Sequence, residues 1–482
     1  MARGGYTSDE GCGDWKRLRD RCRLSGAGSL SRTGACLCGE ARQGGAVRSH
    51  LGPRKMILMG KLSMWKSRVG FNYCDTRYPG IRSDLGSSEI AGLHRVYLDT
   101  VEREQGKLSR PTALMASIFF LGYSLREAWN YLRSHGHACR RDSGKALWRQ
   151  FYESSVGQFC YQVPVMDYYA NRLYRYNSVQ ERSGFICQRI LHKLILRLNT
   201  DTQTEVKPHV EKQVFEKACR AQGLPCVPTF AMLEAGKLNR NDVLKAWVSQ
   251  GRSFLIKPDK AYGGIRVAIF DRAENGCWRE RLTGRWVCDA GEQPCDQLAQ
   301  FAPEGSYLVQ PLMHNAPWLK PFSNGNLCNY RIVTGLNRNG GIETLCAFLR
   351  MPCGQAVLTS IESDAACSAI DLNRGTLSSF GFMDIRKAIM QVHPDGGARV
   401  EGHRIHNWTE VLALAERAHQ ALGGACFVGW DIVDTKEKGL LLLESNLLWG
   451  ANLAQFNGQP LLGSTAFPEL YRAHLEWQET SQ

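Results

Sequence analysis

Two short segments near the end of the chain decide the fold: Ala425-Cys-Phe-Val-Gly-Trp-Asp-Ile-Val-Asp434 and Leu440-Leu-Leu-Leu-Glu-Ser-Asn446. Both have the apolar composition of strands, and the polar Thr435-Lys-Glu-Lys-Gly439 between them is typical of a turn. The pattern therefore predicts an antiparallel hairpin. A turn centred between positions 437 and 438 places Asp431 directly opposite Glu444.

Asp431, Glu444 and Asn446 form a predicted metal site on this hairpin. Directly opposed residues of antiparallel strands share a face, with Cβ atoms about 4.5–5.5 Å apart, and Asn446 lies two residues beyond Glu444 on that face. Two carboxylates so close repel each other unless a proton or a cation lies between them. Their oxygens and an amide oxygen suit a hard cation such as magnesium. A solvated acidic turn is the alternative, but the leucines before Glu444 favour a buried strand.

A second segment predicts a hairpin with a phosphate-binding loop. Ser253-Phe-Leu-Ile-Lys-Pro258 has the pattern of a strand that contains Lys257, and Ile265-Arg-Val-Ala-Ile-Phe270 has the pattern of its partner. Gly263 and Gly264 between them let the backbone approach a phosphate closely, while Lys257 supplies a positive charge. A hairpin with no ligand has the same pattern, so this signal is weak by itself.

Two more predicted strands carry groups suited to a nucleotide. Tyr307-Leu-Val-Gln-Pro-Leu-Met313 predicts a strand that runs into an extended linker, whose backbone groups can pair with an adenine edge. The alternative is an edge strand ended by Pro311. Asn329-Tyr-Arg-Ile-Val-Thr334 places Arg331 inside an apolar strand. A buried arginine needs an anionic partner, which is either a phosphate or a protein carboxylate.

Taken together in chain order, these motifs resemble those of the ATP-grasp superfamily. The resemblance rests on Lys212, Lys257 with its glycine loop, Gln310-Pro-Leu312, Asn329-Tyr-Arg331, Asp431 and Glu444-Ser-Asn446. Within that class, His393-Pro-Asp-Gly-Gly-Ala-Arg-Val-Glu-Gly402 through Val428-Gly-Trp-Asp-Ile432 is similar to the sugar-transfer-associated ATP-grasp proteins, which are related to alpha-L-glutamate ligases. The likeness covers roughly residues 165–472.

The resemblance implies a role for each matched residue. Lys212 and Lys257 would hold the phosphates of ATP together with Gly263 and Gly264, and Lys207 and Lys217 lie near enough to be alternatives to Lys212. Arg331 would contact the reacting phosphoryl group or acyl phosphate, and it is implied as catalytic together with Lys257. The remaining implied roles are adenine binding by Gln310 and the backbone through Leu312, and magnesium binding by Asp431, Glu444 and Asn446.

One segment departs from the family pattern. Where relatives tend to carry an Asp-Asn pair followed by glycines, this chain has Ser360-Ile-Glu-Ser-Asp-Ala-Ala-Cys-Ser368. We expect that region to face the second substrate. The departure therefore bears on the substrate class more than on ATP binding.

The predicted fold class is α+β, with an ATP-grasp fold of two α+β subdomains that sandwich ATP and a mainly helical region before them. Residues 1–55 are rich in Gly, Arg, Ser and Cys without a regular period, which predicts disorder. We expect a mainly helical region at 56–200 and the ATP-grasp domain at 201–475. The expected subdomains are about 201–312 and 313–475.

Composition argues against several other classes. Residues 1–70 hold 14 Lys or Arg and 5 Asp or Glu, so most of the net charge of +14 lies there and no nucleic-acid partner is expected. The 18 cysteines form no paired CxxC motifs, which favours reduced thiols in a cytoplasmic protein. The uncharged apolar run Pro111–Leu125 is shorter than the roughly 20 residues of a spanning helix, so no stable membrane insertion is expected. A P-loop and a dinucleotide-binding GxGxxG are both missing from the sequence.

The function that the resemblance implies is ATP- and magnesium-dependent ligation of a carboxylate to an amine through an acyl phosphate. The expected substrates are small molecules, either free or linked to a saccharide or peptide. One alternative is a kinase on the same fold that phosphorylates a sugar or polyol hydroxyl. Another is a nucleotide-binding protein without turnover.

Overall fold

Two antiparallel sheets and a set of N-terminal helices make up the fold. A computed structural model of the chain describes residues 88–105, 109–199, 206–239, 242–260, 266–288, 294–302, 305–356, 366–456 and 458–481. Three predictions lie outside the described residues: the disordered segment 1–55, the loop glycines Gly263 and Gly264, and the substrate-facing stretch from Ser360 as far as residue 365. The predicted domain boundaries stay predictions.

The region before residue 200 is helical in its described parts, as expected from the sequence. Its helices are α1 Ser88–Gln105, α2 Arg110–Ser143, α3 Leu147–Tyr161, α4 Val165–Ala170, α5 Val179–Ser183 and α6 Gln188–Leu198. Helix α2 begins after Ser109, whose hydroxyl accepts a hydrogen bond from the Thr112 amide, and it ends at Gly144 with a left-handed φ of 72°. Among the described helices, none combines the length and apolarity that crossing a bilayer requires.

These helices divide between two cores. Helices α1 and α6 share their core with the second sheet described below, whereas α2 to α4 surround a separate aromatic cluster. Tyr168, Tyr169 and Tyr174 in that cluster are only 1–2% exposed. These tyrosines therefore contribute their rings to the packing between the helices.

The first sheet has seven strands from the middle of the chain. It is preceded by α7 Lys212–Ala221, and its elements are β1 Ala231–Glu234, β2 Lys237–Asn239, α8 Asp242–Ser249, β3 Phe254–Pro258, β4 Ala268–Arg272, β5 Trp278–Glu280, β6 Trp286–Cys288 and β7 Ser306–Pro311. The order is β2-β1-β7-β3-β4-β5-β6, and every neighbouring pair is antiparallel. Strand β3 therefore lies inside the sheet, beside β7 and β4.

The second sheet has six strands and carries the predicted acidic hairpin. Its elements and the helices that follow are β8 Asn329–Leu336, β9 Ile342–Met351, β10 Ala366–Ile370, β11 Leu377–Gly381, α9 Trp408–Leu422, β12 Phe427–Thr435, β13 Gly439–Asn446, α10 Asn452–Gln455, α11 Leu461–Ser464 and α12 Phe467–Ser481. The strand order is β11-β10-β9-β8-β12-β13. Because β12 lies between β8 and β13, all nine of its residues are buried.

Helix α9 lacks the side-chain cap that an asparagine before its first residue favours. Asn407 is the residue before the helix, yet its side chain makes no capping hydrogen bond and instead donates to the Asp434 carboxylate at 2.8 Å. This bond to a charged acceptor orients the Asn407 side chain toward Asp434. The helix ends before Gly423, whose φ is 55°.

The close packing of β12 generates a stability prediction. A Cβ atom at Gly429 would lie 2.6 Å from the Cβ of the fully buried Trp449, so Gly429→Ala should destabilise the fold by roughly 1–3 kcal/mol. Gly122 lies on the exposed side of α2 with no atom within 4 Å of such a Cβ. Gly122→Ala should therefore stabilise by roughly 0.5–1 kcal/mol. Urea denaturation of both variants checks the opposite signs.

Candidate functional site

The predicted Asp431–Glu444 pair is present in the hairpin of β12 and β13. Asp431 is paired with Glu444, and Gly429 with Asn446. Nearer the turn the register differs by one, because Thr435 pairs with Gly439 and the turn is centred on Glu437. A bulge at Leu443 absorbs the extra residue, so the pairing is right although the predicted turn centre is wrong.

Two arginines hold the Asp431 carboxylate in the interior of the sheet. Arg331, opposite Asp431 on β8, donates from Nε to Oδ1 at 2.5 Å and from Nη2 to Oδ2 at 3.0 Å. Arg350 on β9 donates from Nη2 to Oδ1 at 3.2 Å. Burial acts to raise the pKa of Asp431, but the two guanidiniums outweigh it and hold that pKa well below its ordinary value. The carboxylate is therefore ionised at neutral pH.

The sequence predicts either a phosphate or a protein carboxylate as the partner of Arg331, and it did not lead us to predict Arg350 as a site residue. The structure gives Arg331 the protein carboxylate, and a contact with phosphate stays a prediction. Arg350 is 8% exposed in a strand whose neighbouring residues are buried and apolar. The argument that singled out Arg331 applies equally to Leu345-Cys-Ala-Phe-Leu-Arg350, so the signal was present in the sequence.

Two lysines approach Glu444 from the other side of the site. Lys212, the first residue of α7, has its Nζ 3.8 Å from the Glu444 carboxylate and 3.3 Å from the Asp259 carbonyl oxygen. Lys257 on β3 is 9% exposed. Burial lowers the pKa of Lys257 to about 8; Glu444 and Asp431 oppose that change and Lys212 adds to it. These interactions bring Lys212, Lys257 and the acidic hairpin into one site.

The resulting charge balance favours a polyanion. Four basic side chains accompany Asp431 and Glu444, and the third carboxylate that acts on Lys257, that of Glu216, has its own partner in Arg220. Such an excess of positive charge in a largely buried site attracts an anionic group that brings several oxygens. A triphosphate has that chemistry, and each basic side chain has donors for its oxygens.

Glu444 and Asn446 provide oxygen ligands that fit a magnesium ion. The Glu444 side chain is 27% exposed, and Asn446 contributes an amide oxygen because its Nδ2 is directed to Asp431 at 3.5 Å. Both Asp431 oxygens accept hydrogen bonds from guanidiniums. Oδ2 accepts only one of these bonds, so Asp431 fits the same ion through the second lone pair of Oδ2 or in place of one arginine contact.

The residues predicted to bind adenine lie in and just after β7. Gln310 is 3% exposed, and its Nε2 donates to the Thr229 hydroxyl at 3.2 Å. The Leu312 amide donates to the Ser253 carbonyl oxygen at 3.2 Å. Because that amide is occupied, an adenine contact at this residue would use the Leu312 carbonyl group.

The motif that begins at His393 forms a separate cluster with Cys353 and Asp395, whose possible ligand atoms lie within 4.8 Å of one another. The backbone amides of Asp395 and Gly396 donate to His393 Nδ1 at 3.3 and 3.1 Å. These bonds assign the ring proton to Nε2, which faces the Cys353 sulfur at 3.2 Å. A protonated Nε2 cannot ligate a metal, so we interpret this cluster as a structural contact.

The fold and the site together define the ATP-grasp class. The fold has two antiparallel sheets, and at the site an acidic hairpin of the second sheet faces lysines of the first sheet and of α7. A family profile described as "Sugar-transfer associated ATP-grasp" matches residues 190–467, which is more than half of the chain. The protein therefore belongs to the sugar-transfer-associated ATP-grasp family. No curated protein matches the sequence.

The solved structures to which the chain is similar are distant from it. The D-cycloserine synthetase DcsG is 13% identical with a TM-score of 0.32, and the match covers 65% of this chain and 82% of that one. D-alanyl-alanine synthetase A from Vibrio cholerae is 11% identical with a TM-score of 0.35, and the match covers 58% and 67%. Biotin carboxylase from Campylobacter jejuni is 9% identical with a TM-score of 0.34, and the match covers 56% of this chain and 47% of that one.

The low pKa of Lys257 generates a prediction for nucleotide binding. Only the protonated lysine pairs with phosphate, so ATP affinity should weaken above pH 8, by at most about tenfold per pH unit. Calorimetric titration of ATP between pH 7 and pH 9.5 measures this slope. Lys257→Arg keeps its charge across that range and should remove the slope. A slope that is equal in both proteins would assign it to another group.

Proposed function

We propose that the protein is an ATP- and magnesium-dependent carboxylate–amine ligase that forms an amide through an acyl phosphate. The observation that carries this proposal is the excess of basic side chains around the paired Asp431 and Glu444. Family membership supports ATP-dependent ligation of small molecules as the general class of activity. The acid, the amine and the use of magnesium are part of the proposal, as is a cytoplasmic location.

The basic residues would bind and orient the triphosphate. Lys212 and Lys257 would donate to its phosphate oxygens from the side of α7 and β3, and a close backbone approach by Gly263 and Gly264 stays a prediction. Arg331 exchanges one of its two bonds to Asp431 for the γ-phosphoryl group, while Arg350 keeps the carboxylate paired. Gln310 and the Leu312 backbone would line the adenine position.

Glu444 and Asn446, joined by Asp431 after this exchange, would hold magnesium, which neutralises charge on the phosphate oxygens. The reaction then needs little covalent help from the protein. A substrate carboxylate oxygen attacks the γ-phosphorus, and the bond to the bridging oxygen breaks to release ADP. The amine nitrogen attacks the acyl carbon, loses a proton and displaces inorganic phosphate. Arg331 and Lys257 stabilise the charge that develops on the transferred group.

A product analysis separates this proposal from its alternatives. The chain is incubated with ATP, magnesium and panels of carboxylates, with and without amines, including saccharide- and peptide-linked acids. A ligase releases inorganic phosphate in amounts that depend on both substrates. A kinase instead yields a stable phosphoester with a sugar or polyol, and a non-catalytic protein binds ATP without turnover; phosphorus NMR distinguishes all three.

The role of Glu444 generates the next prediction. Glu444→Gln removes a charged oxygen ligand with little change in shape, so ATP turnover should fall by roughly a hundredfold or more. Glu410→Gln is the matched control, because Glu410 is exposed on α9. Steady-state phosphate release measures both, and urea denaturation verifies that each variant is folded. Full turnover in the Glu444 variant would exclude it as a metal ligand.

A further inference from the structure

A cavity of about 460 Å³ lies among the N-terminal helices, and all of its lining residues fall between His94 and Phe185. This volume is within the range of roughly 300–1,000 Å³ that small-molecule sites occupy. The residues that matter for its chemistry are Trp148, Arg149, Tyr152, Glu153, Tyr168 and Arg182. The cavity contains none of the residues assigned to the nucleotide site, and we refer to it as the aromatic cavity.

The aromatic cavity has two large rings exposed to solvent. Trp148 and Tyr152, which stand one helical turn apart on α3, are 72% and 62% exposed. Keeping apolar surface in water costs about 25 cal/mol per Å², so two adjacent exposed rings are unfavourable without a ligand. Their faces are suited to stacking against a flat or ring-shaped molecule.

The cavity also carries an excess of positive charge. The Glu153 carboxylate is 2.9 Å from each of three cationic groups: Lys145 Nζ, Arg149 Nε and Arg182 Nη2. One carboxylate cannot neutralise three cations. Two other lining groups that titrate change this little. Burial lowers the pKa of His94 to about 4, which leaves it neutral, and burial raises the pKa of Tyr168, whose neutral hydroxyl donates to Glu153 at 2.9 Å.

Arg149 has donors to offer a ligand. Its hydrogen bond to Glu153 uses Nε, so the two Nη groups of the guanidinium carry four further donors. The side chain is 44% exposed, and it lies between the two exposed rings in the sequence of α3. Paired guanidinium donors match the geometry of a carboxylate or a phosphate.

We propose that the aromatic cavity binds a small anion that carries a ring. The ring stacks on Trp148 and Tyr152, and the carboxylate or phosphate pairs with Arg149 and with the positive charge around Glu153. Sugar acids, sugar phosphates, nucleoside monophosphates and aromatic carboxylates share this chemistry. This binding site is formed by residues of the helical region alone, so the proposal does not depend on the ligase assignment.

Isothermal titration of the full chain with glucuronate, glucose 6-phosphate, uridine 5′-monophosphate and benzoate tests this proposal. Glucose, uridine and inorganic phosphate serve as probes that lack either the charge or the ring. At least one ring-bearing anion should bind, and its affinity should exceed those of its neutral counterpart and of phosphate by roughly tenfold or more. The probe that binds identifies the source of the ring.

Variants locate the binding. Trp148→Ala and Arg149→Gln should each weaken it by roughly tenfold, because one removes the stacking surface and the other the charge. Trp129→Ala is the control: Trp129 is 55% exposed on α2 and does not line the cavity. Thermal melting verifies folding of all three. Absence of binding by every ring-bearing anion, or equal binding in the Trp148 variant and the parent, would overturn the proposal.

Discussion

The buried ion group of Arg331, Arg350 and Asp431 is the interaction on which the second sheet depends. It joins three adjacent strands, since Arg331 lies on β8, Arg350 on β9 and Asp431 on β12. Removing one partner of a buried ion pair costs roughly 3–5 kcal/mol, because the remaining charge is left without compensation. The three strands are therefore held in one register, and that register determines which face of β12 presents Asp431.

The same group explains how a site so rich in charge exists before a nucleotide binds. Two carboxylates and four bases would be unfavourable together if their charges were unpaired, but each Asp431 oxygen already accepts a guanidinium donor. Lys257 stays mostly protonated at neutral pH, and the cost of burying its charge lowers its pKa to about 8. A bound triphosphate would supply the missing negative charge, so folding and ligand recognition use the same electrostatic imbalance.

The sequence predicted the elements that depend on local pattern. The hairpin of β12 and β13 and the face shared by Asp431 and Glu444 both follow from the apolar strand pattern and the turn residues. The bulge at Leu443 could not be predicted from the sequence. It lies in a run of four leucines, where one extra residue leaves the apolar pattern unchanged. Register at the site is set instead by the pairing of β12 with β8, which is a contact between distant parts of the chain.

Partners of buried polar groups were the least predictable feature. Asn407 lies in the position of a helix cap, but its side-chain amide donates to the Asp434 carboxylate. Asp434 is 27 residues away in the sequence, so no local sequence rule predicts this partner. Arg331 was recognised as needing an anion, while the choice between phosphate and carboxylate required the strand order. Glu153 in the helical region is a second example: it pairs with three cations, of which Lys145 and Arg149 are local and Arg182 lies on α5. Both sites leave positive charge uncompensated by protein carboxylates, and a folded chain keeps such an imbalance at low cost only where an anion or solvent reaches it.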